Sequence, residues 1–252
     1  MDSEKKLPFT GHLEELRKRL ITCCIAVGVC FASCYAFSKK LFEILMMPLL
    51  SVLPAGDKLI YTGLPDAFFT YLKVALLAGI LLAMPVIFYQ LWMFIIPGLY
   101  DKERHIVIYA VFFSSIFFVG GALFGYFIVF PFGFKFFLSF SSDFIHPMLS
   151  IKEYLAFATK LLLAFGVVFE MPIFILILTK LGLVTVKNLR TYRKYVIVLF
   201  FAFSAILTPP DVVTQVMMAG PLMILYELSI IGAMIITKKK QKEQKETGGQ
   251  KE

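Results

Sequence analysis

Carboxylates set among apolar residues carry most of the chemical information in this 252-residue sequence. Glu170 lies in the charge-poor run 154–179, and Glu227 lies in the run 212–236. A carboxylate at the centre of a membrane helix costs about 2.5–3.5 kcal/mol on insertion scales, so such groups face a bundle interior or a wet cavity. Pro172 follows Glu170 by two residues. It has no N–H to give, so it frees the carbonyl of Val168 and kinks the helix. Glu170 and that carbonyl then form a polar notch, or Glu170 is a protonated structural hydrogen-bonding group. Glu227 is either functional or a boundary carboxylate reaching toward Lys238, Lys239 and Lys240. Lys160 lies near a helix end, where its long stem lets the ammonium snorkel, and it is assigned no role.

Two further acidic clusters flank the apolar runs. In His12-Leu13-Glu14-Glu15-Leu16-Arg17-Lys18-Arg19-Leu20, the three leucines share a helical face that lies along a membrane or packs on a bundle. Glu15 is i,i+4 to Arg19 and Glu14 to Lys18, pairs worth about 0.2–0.5 kcal/mol each on a helix surface. The second cluster is Pro97-Gly98-Leu99-Tyr100-Asp101-Lys102-Glu103-Arg104, on its own an ordinary charged turn. The sequence holds no HExxH, GxSxG, P-loop or GxGxxG pattern. His12, His105 and His146 stand in separate segments with nothing to pair them as metal ligands. Cys23, Cys24, Cys30 and Cys34 all fall in one apolar run and read as small apolar side chains. No metal, cofactor or catalytic role is expected.

The elements that must position these groups are membrane helices. The chain is 59% hydrophobic and 17% charged, with 28 Phe and a mean hydropathy of +0.82. Soluble domains are near 45–50% apolar and about 25% charged, so the bilayer has to solvate most of this chain. The net charge of +8 sits between apolar runs and in the C-terminal tail. That placement fits an anionic leaflet and argues against nucleic acid. Helices need about 20 residues to cross a core of about 30 Å. Six candidate spans follow: 20–37, 74–96, one within 106–134 ending before Pro131, 154–179, 195–207 and 212–236. The first, with basic residues before it, mimics a secretory signal but is long enough to be a retained helix. The fifth is 13 residues, roughly 20 Å, and the two prolines after it turn the chain into a tight hairpin.

With the N-terminus inside, the inner segments hold eighteen Lys and Arg and the outer segments six. Both termini are therefore expected in the cytoplasm. The outer segments 38–73 and 132–153 read as surface helices, and Ser150 with Glu153 fits a capping box. The division expected is a cytoplasmic segment with an amphipathic helix (1–19), a membrane domain (20–236) and a basic cytoplasmic tail (237–252). The tail has nothing to bury and is expected to be disordered. Gly121 and Gly125 have the small-xxx-small spacing of helix packing.

Four motifs in this order resemble the TatC family, the multispanning subunit of twin-arginine translocases. They are His12-Leu13-Glu14-Glu15-Leu16-Arg17, the Leu-Tyr-x-x-Glu-Arg core ending at Arg104, Phe165-Gly166-Val167-Val168-Phe169-Glu170-Met171-Pro172, and Leu207-Thr208-Pro209-Pro210-Asp211. The likeness runs from about residue 8 to residue 236. It implies a curved, glove-like bundle of six helices, the last two short, in the bacterial cytoplasmic (inner) membrane. It implies that twin-arginine signal peptides of folded cargo bind at Glu15 and Glu103, with Leu16, Arg17, Tyr100 and Arg104 beside them. Glu170 becomes a polar group of the concave face. TatA-type and TatB-type single-span proteins are implied along helices five and six, at Thr208, Asp211 and Gln215, as are other copies of the chain. The proton-motive force would drive transport.

The residues alone leave two other readings open. One is a proton-coupled secondary transporter of a small solute, with Glu170 as its relay; the absence of internal repeats counts against it. The other is a structural scaffold.

Overall fold

The computed structural model describes residues 9–53, 59–61, 63, 65–95, 104–140, 148–207 and 212–248. These residues form α1 Phe9–Tyr35, α2 Ser38–Leu50, α3 Asp66–Ile95, α4 Arg104–Phe124, α5 Phe130–Leu138, α6 Ile151–Phe169, α7 Met171–Lys180, α8 Val186–Leu207 and α9 Val212–Gly248. A π-helical turn, Gly125–Val129, joins α4 to α5. Among the described residues the single extended pairing is an isolated bridge between Ile60 and Ser150. In lipid each backbone N–H and C=O must be satisfied within its own segment, which is why apolar runs of this length become helices.

Five helical stretches are long and apolar enough to cross a membrane: Gly11–Tyr35, Asp66–Ile95, Val107–Leu138, Ile151–Lys180 and Gln215–Lys238. Helix α8 has 22 residues, but Lys187, Arg190, Arg193 and Lys194 fill its first turns. Its apolar part is the short stretch the sequence indicates.

Two expectations need correction. The third apolar run does not stop before Pro131 but continues to Leu138. The π turn permits this: Phe130 N–H bonds the carbonyl of Gly125, and Pro131 enters at the start of α5, where its missing N–H matters least. Helix α9 continues into the tail as far as Gly248. Lys, Glu and Gln are good helix formers, and extending an existing helix needs no new nucleus. Ser150 does stand at the N-cap of α6, yet its side chain makes no capping bond. The Ile151 N–H instead bonds the Ile60 carbonyl at 3.2 Å.

The chain divides into two compact units. The first comprises Met1–Met47 and Tyr61–Ile116, and its centre is the packing of α1 on α3. Gly79 makes that contact possible, since a Cβ there would lie 2.8 Å from the Phe31 backbone. Trp92 is almost fully buried, and its indole N–H donates to Ser114 Oγ at 3.0 Å, tying α3 to the first half of α4. The second unit comprises Pro48–Ile60 and Phe117–Glu252. There Gly121 presses on α6, where a Cβ would come within 2.5 Å of the Phe165 carbonyl oxygen. The small-residue spacing is thus used for packing within the chain. Rings of Phe124, Phe165, Phe130, Phe134 and Tyr154 continue that seam at centroid distances of 5.4–5.6 Å where they meet. Leu189, Phe200, Leu222, Tyr226 and Ile230 form a separate core between α8 and α9.

Candidate functional site

Glu15 stands in the second turn of α1. Both predicted i,i+4 pairs form there: Lys18 Nζ lies 2.8 Å from Glu14, and Arg19 grips Glu15. The second grip differs in kind. Arg19 Nε donates to Glu15 Oε1 at 3.0 Å, and Nη2 donates to the same oxygen. Arg19 Nη1 then crosses to α3 and donates to Gln90 Oε1 at 3.2 Å. Arg19 is 18% exposed and Glu15 38%, so an immobilised cation backs a carboxylate that still faces solvent. Both Arg19 donors converge on Oε1, and no described residue bonds Oε2. One turn earlier His12 stacks on Phe94 of α3, with centroids 4.4 Å apart. The sequence reading did not reach Gln90 or Phe94, because only the packing of α1 on α3 brings them near.

Leu13, Leu16 and Leu20 are all exposed. Of the two settings expected for this face, packing within the bundle is not the one observed. The leucines are left for lipid or a partner. Arg17 is exposed beside them. Tyr100 and Glu103 lie outside the described residues, as does the side chain of Arg104.

Glu170 occupies the break between α6 and α7. Its N–H bonds the Val167 carbonyl at 3.1 Å, a tightened turn, and its own carbonyl accepts from Phe174 N–H. Pro172 at the start of α7 explains the break. The Glu170 side chain is 3% exposed, an interior position of the kind an intramembrane carboxylate takes.

Glu227 is partnered differently from the boundary arrangement considered from sequence. Its Oε1 lies 2.7 Å from Arg193 Nε on α8, so a cation from the preceding helix meets it; the side chains of Lys239 and Lys240 lie outside the described residues. Beside the pair, Tyr226 OH donates to the Leu189 carbonyl at 2.8 Å. Gln215 also joins α8 to α9: its Nε2 donates to the Phe201 carbonyl at 2.8 Å. Thr208 and Asp211 lie outside the described residues. Among those that are described, no group of three or more His, Cys, Asp or Glu comes together in a metal-binding arrangement, and the four cysteines are free thiols.

Long apolar helices with a few interior or boundary polar groups define an α-helical, multispanning membrane protein. The model of the Sec-independent protein translocase protein (TatC) family matches residues 11–221, and the chain belongs to that family. A Sec-independent protein translocase protein TatC from Desulforapulum autotrophicum is 58% identical over 96% of this chain and 90% of its own length. One from Aquifex aeolicus is 43% identical over 95% of this chain and 100% of its own. A crystal structure of a twin arginine translocase receptor, TatC, superposes with a TM-score of 0.81 at 43% identity, covering 90% of this chain and 99% of the other. The chain is therefore a protein translocase component and not an enzyme. That membership replaces the small-solute transporter reading.

Proposed function

We propose that this chain is the receptor subunit of a twin-arginine translocase in the bacterial cytoplasmic membrane, and that Glu15 and Glu103 bind the paired arginines of a signal peptide. The observation that carries the proposal is the clamp on Glu15. Arg19, anchored on Gln90, holds one carboxylate oxygen, while the half-exposed side chain leaves the other without a bond to any described residue. A guanidinium is planar, always charged and matched to a carboxylate, so adjacent arginines call for two carboxylates on neighbouring elements. Glu15 precedes the first span and Glu103 the third, and the positive-inside distribution supports a cytoplasmic boundary position for both. Leu16, Arg17, Tyr100 and Arg104 flank them. The exposed leucine face of α1 meets the apolar part of the signal peptide or the lipid beside it.

In this reading the chain crosses the membrane six times, α8 making the short fifth span, with residues 1–19 and 237–252 in the cytoplasm. TatA-type and TatB-type single-span proteins dock near Thr208, Asp211 and Gln215, and folded cargo moves at the expense of the proton-motive force. The test is site-specific crosslinking of a twin-arginine peptide. Glu15→Ala and Glu103→Ala each reduce the crosslink about tenfold, as expected for a lost charge-assisted bond, and a twin-lysine peptide binds poorly to the unaltered protein. Unchanged crosslinking in both variants refutes the site.

A further inference from the structure

Apart from the signal-peptide site, α8 and α9 border a groove of about 330 Å³ whose two ends differ in chemistry. Ile197, Phe200, Met223, Ile224 and Leu228 line its length, and Arg193, Tyr226 and Glu227 close one end. Arg193 holds Glu227 yet remains 55% exposed. One turn earlier, Arg190 is exposed and lies against Met234, its Nη2 3.0 Å from the sulfur. Lys187 and Lys194 are exposed on the same turns, and Lys194 sits over the Tyr195 ring at 5.1 Å. Lys238 is exposed one turn beyond Met234. Glu227 is the single acidic residue in α8 and in residues 215–238 of α9, so this end carries a surplus of positive charge. Exposed Tyr192 and Tyr195 mark the same level, where amphipathic rings favour the membrane–water boundary.

An apolar trough opening at one end onto guanidinium groups fits an amphiphile with an anionic head. We propose that this groove binds one anionic glycerophospholipid. Its phosphate lies on Arg190, Arg193 and Lys194, and one acyl chain lies along Ile197, Met223 and Leu228. Guanidinium forks bind phosphate oxygens bidentately. A zwitterionic headgroup brings its own cation into the same positive field and is disfavoured. Free phosphate has no chain to fill the trough. Glu227 competes with the lipid phosphate for Arg193.

The test is native mass spectrometry of the purified full-length protein in detergent with equal amounts of phosphatidylglycerol and phosphatidylcholine. Phosphatidylglycerol is retained about fivefold over phosphatidylcholine, as expected from about one cation's attraction to an anionic headgroup. The double variant R190A/K194A, which leaves the Arg193–Glu227 bond in place, loses that preference while its thermal unfolding stays near that of the parent. Glu227→Gln releases Arg193 and raises retention, giving a second readout should the double variant fold poorly. Equal retention of the two lipids, or no change in either variant, overturns the proposal. Displacement by excess inorganic phosphate reduces the site to a simple anion patch and also overturns it. So does loss of a co-purifying single-span protein from R190A/K194A with the lipid count unchanged, which makes the groove a protein-docking face.

Discussion

Arg19 and Gln90 join α1 to α3: Arg19 Nη1 donates to Gln90 Oε1 at 3.2 Å while the rest of the guanidinium holds Glu15. Gln90 thus acts on the carboxylate at one remove. Without it, Arg19 and Glu15 regain rotamer freedom that signal-peptide binding must again suppress, about 0.5–1 kcal/mol. Gln90→Ala is expected to weaken twin-arginine peptide binding about two- to fivefold, less than Glu15→Ala does. Peptide titration of the purified variant checks this. An effect as large as that of Glu15→Ala would mean that Gln90 touches the peptide itself.

Trp92 and Ser114 form a buried hydrogen bond within the first unit. Trp92→Phe removes the donor and part of the ring volume. The expected cost is about 1–3 kcal/mol, from an unmatched hydroxyl and a small void. Ser114→Ala in the same background removes the unmatched group, so the double variant loses less stability than the two single losses together. Thermal unfolding in detergent gives all three values. Simple additivity would show that the bond contributes nothing.

Gly120 and Gly121 are neighbours in sequence with opposite surroundings. A Cβ on Gly120 meets nothing within 4 Å, whereas one on Gly121 would meet the Phe165 carbonyl and the Phe169 ring. Gly121→Ala therefore forces α4 and α6 apart and is expected to cost about 1–3 kcal/mol. Gly120→Ala improves helix propensity by up to about 1 kcal/mol and should leave stability equal or higher. The melting temperature of Gly121→Ala should fall while that of Gly120→Ala holds or rises. A shared direction would contradict the α4–α6 seam described above.

The elements were readable in the sequence wherever the signal was local. Long charge-free runs announced the helices, and Pro172 marked the break at Glu170. The Glu15–Arg19 pair followed from i,i+4 spacing alone. What was not readable came from helix pairing. Glu227 meets a cation from Arg193, on the neighbouring helix and 34 positions away in sequence. Gln90 reached the Glu15 cluster in the same way. Pro131 misled because a π turn, which carries no strong sequence signature, gave the chain a route past it.

Membrane orientation is the condition on which Glu15 and Glu103 can serve a cytoplasmic ligand. The basic start of α8 packs on the part of α9 that leads to Lys238, through Arg190 on Met234 and Arg193 on Glu227. In the proposed orientation the cations of α8 and of the following tail count on one side in the positive-inside bias. In a variant with Cys23, Cys24, Cys30 and Cys34 replaced by Ala, single cysteines introduced by Glu103→Cys and Gln241→Cys are expected to react with an impermeant thiol reagent only from the cytoplasmic side. A single cysteine from Lys58→Cys is expected to react only from the opposite side. Labelling of residue 103 from outside would separate it from the compartment where signal peptides arrive, and the proposed pairing with Glu15 would fall with it.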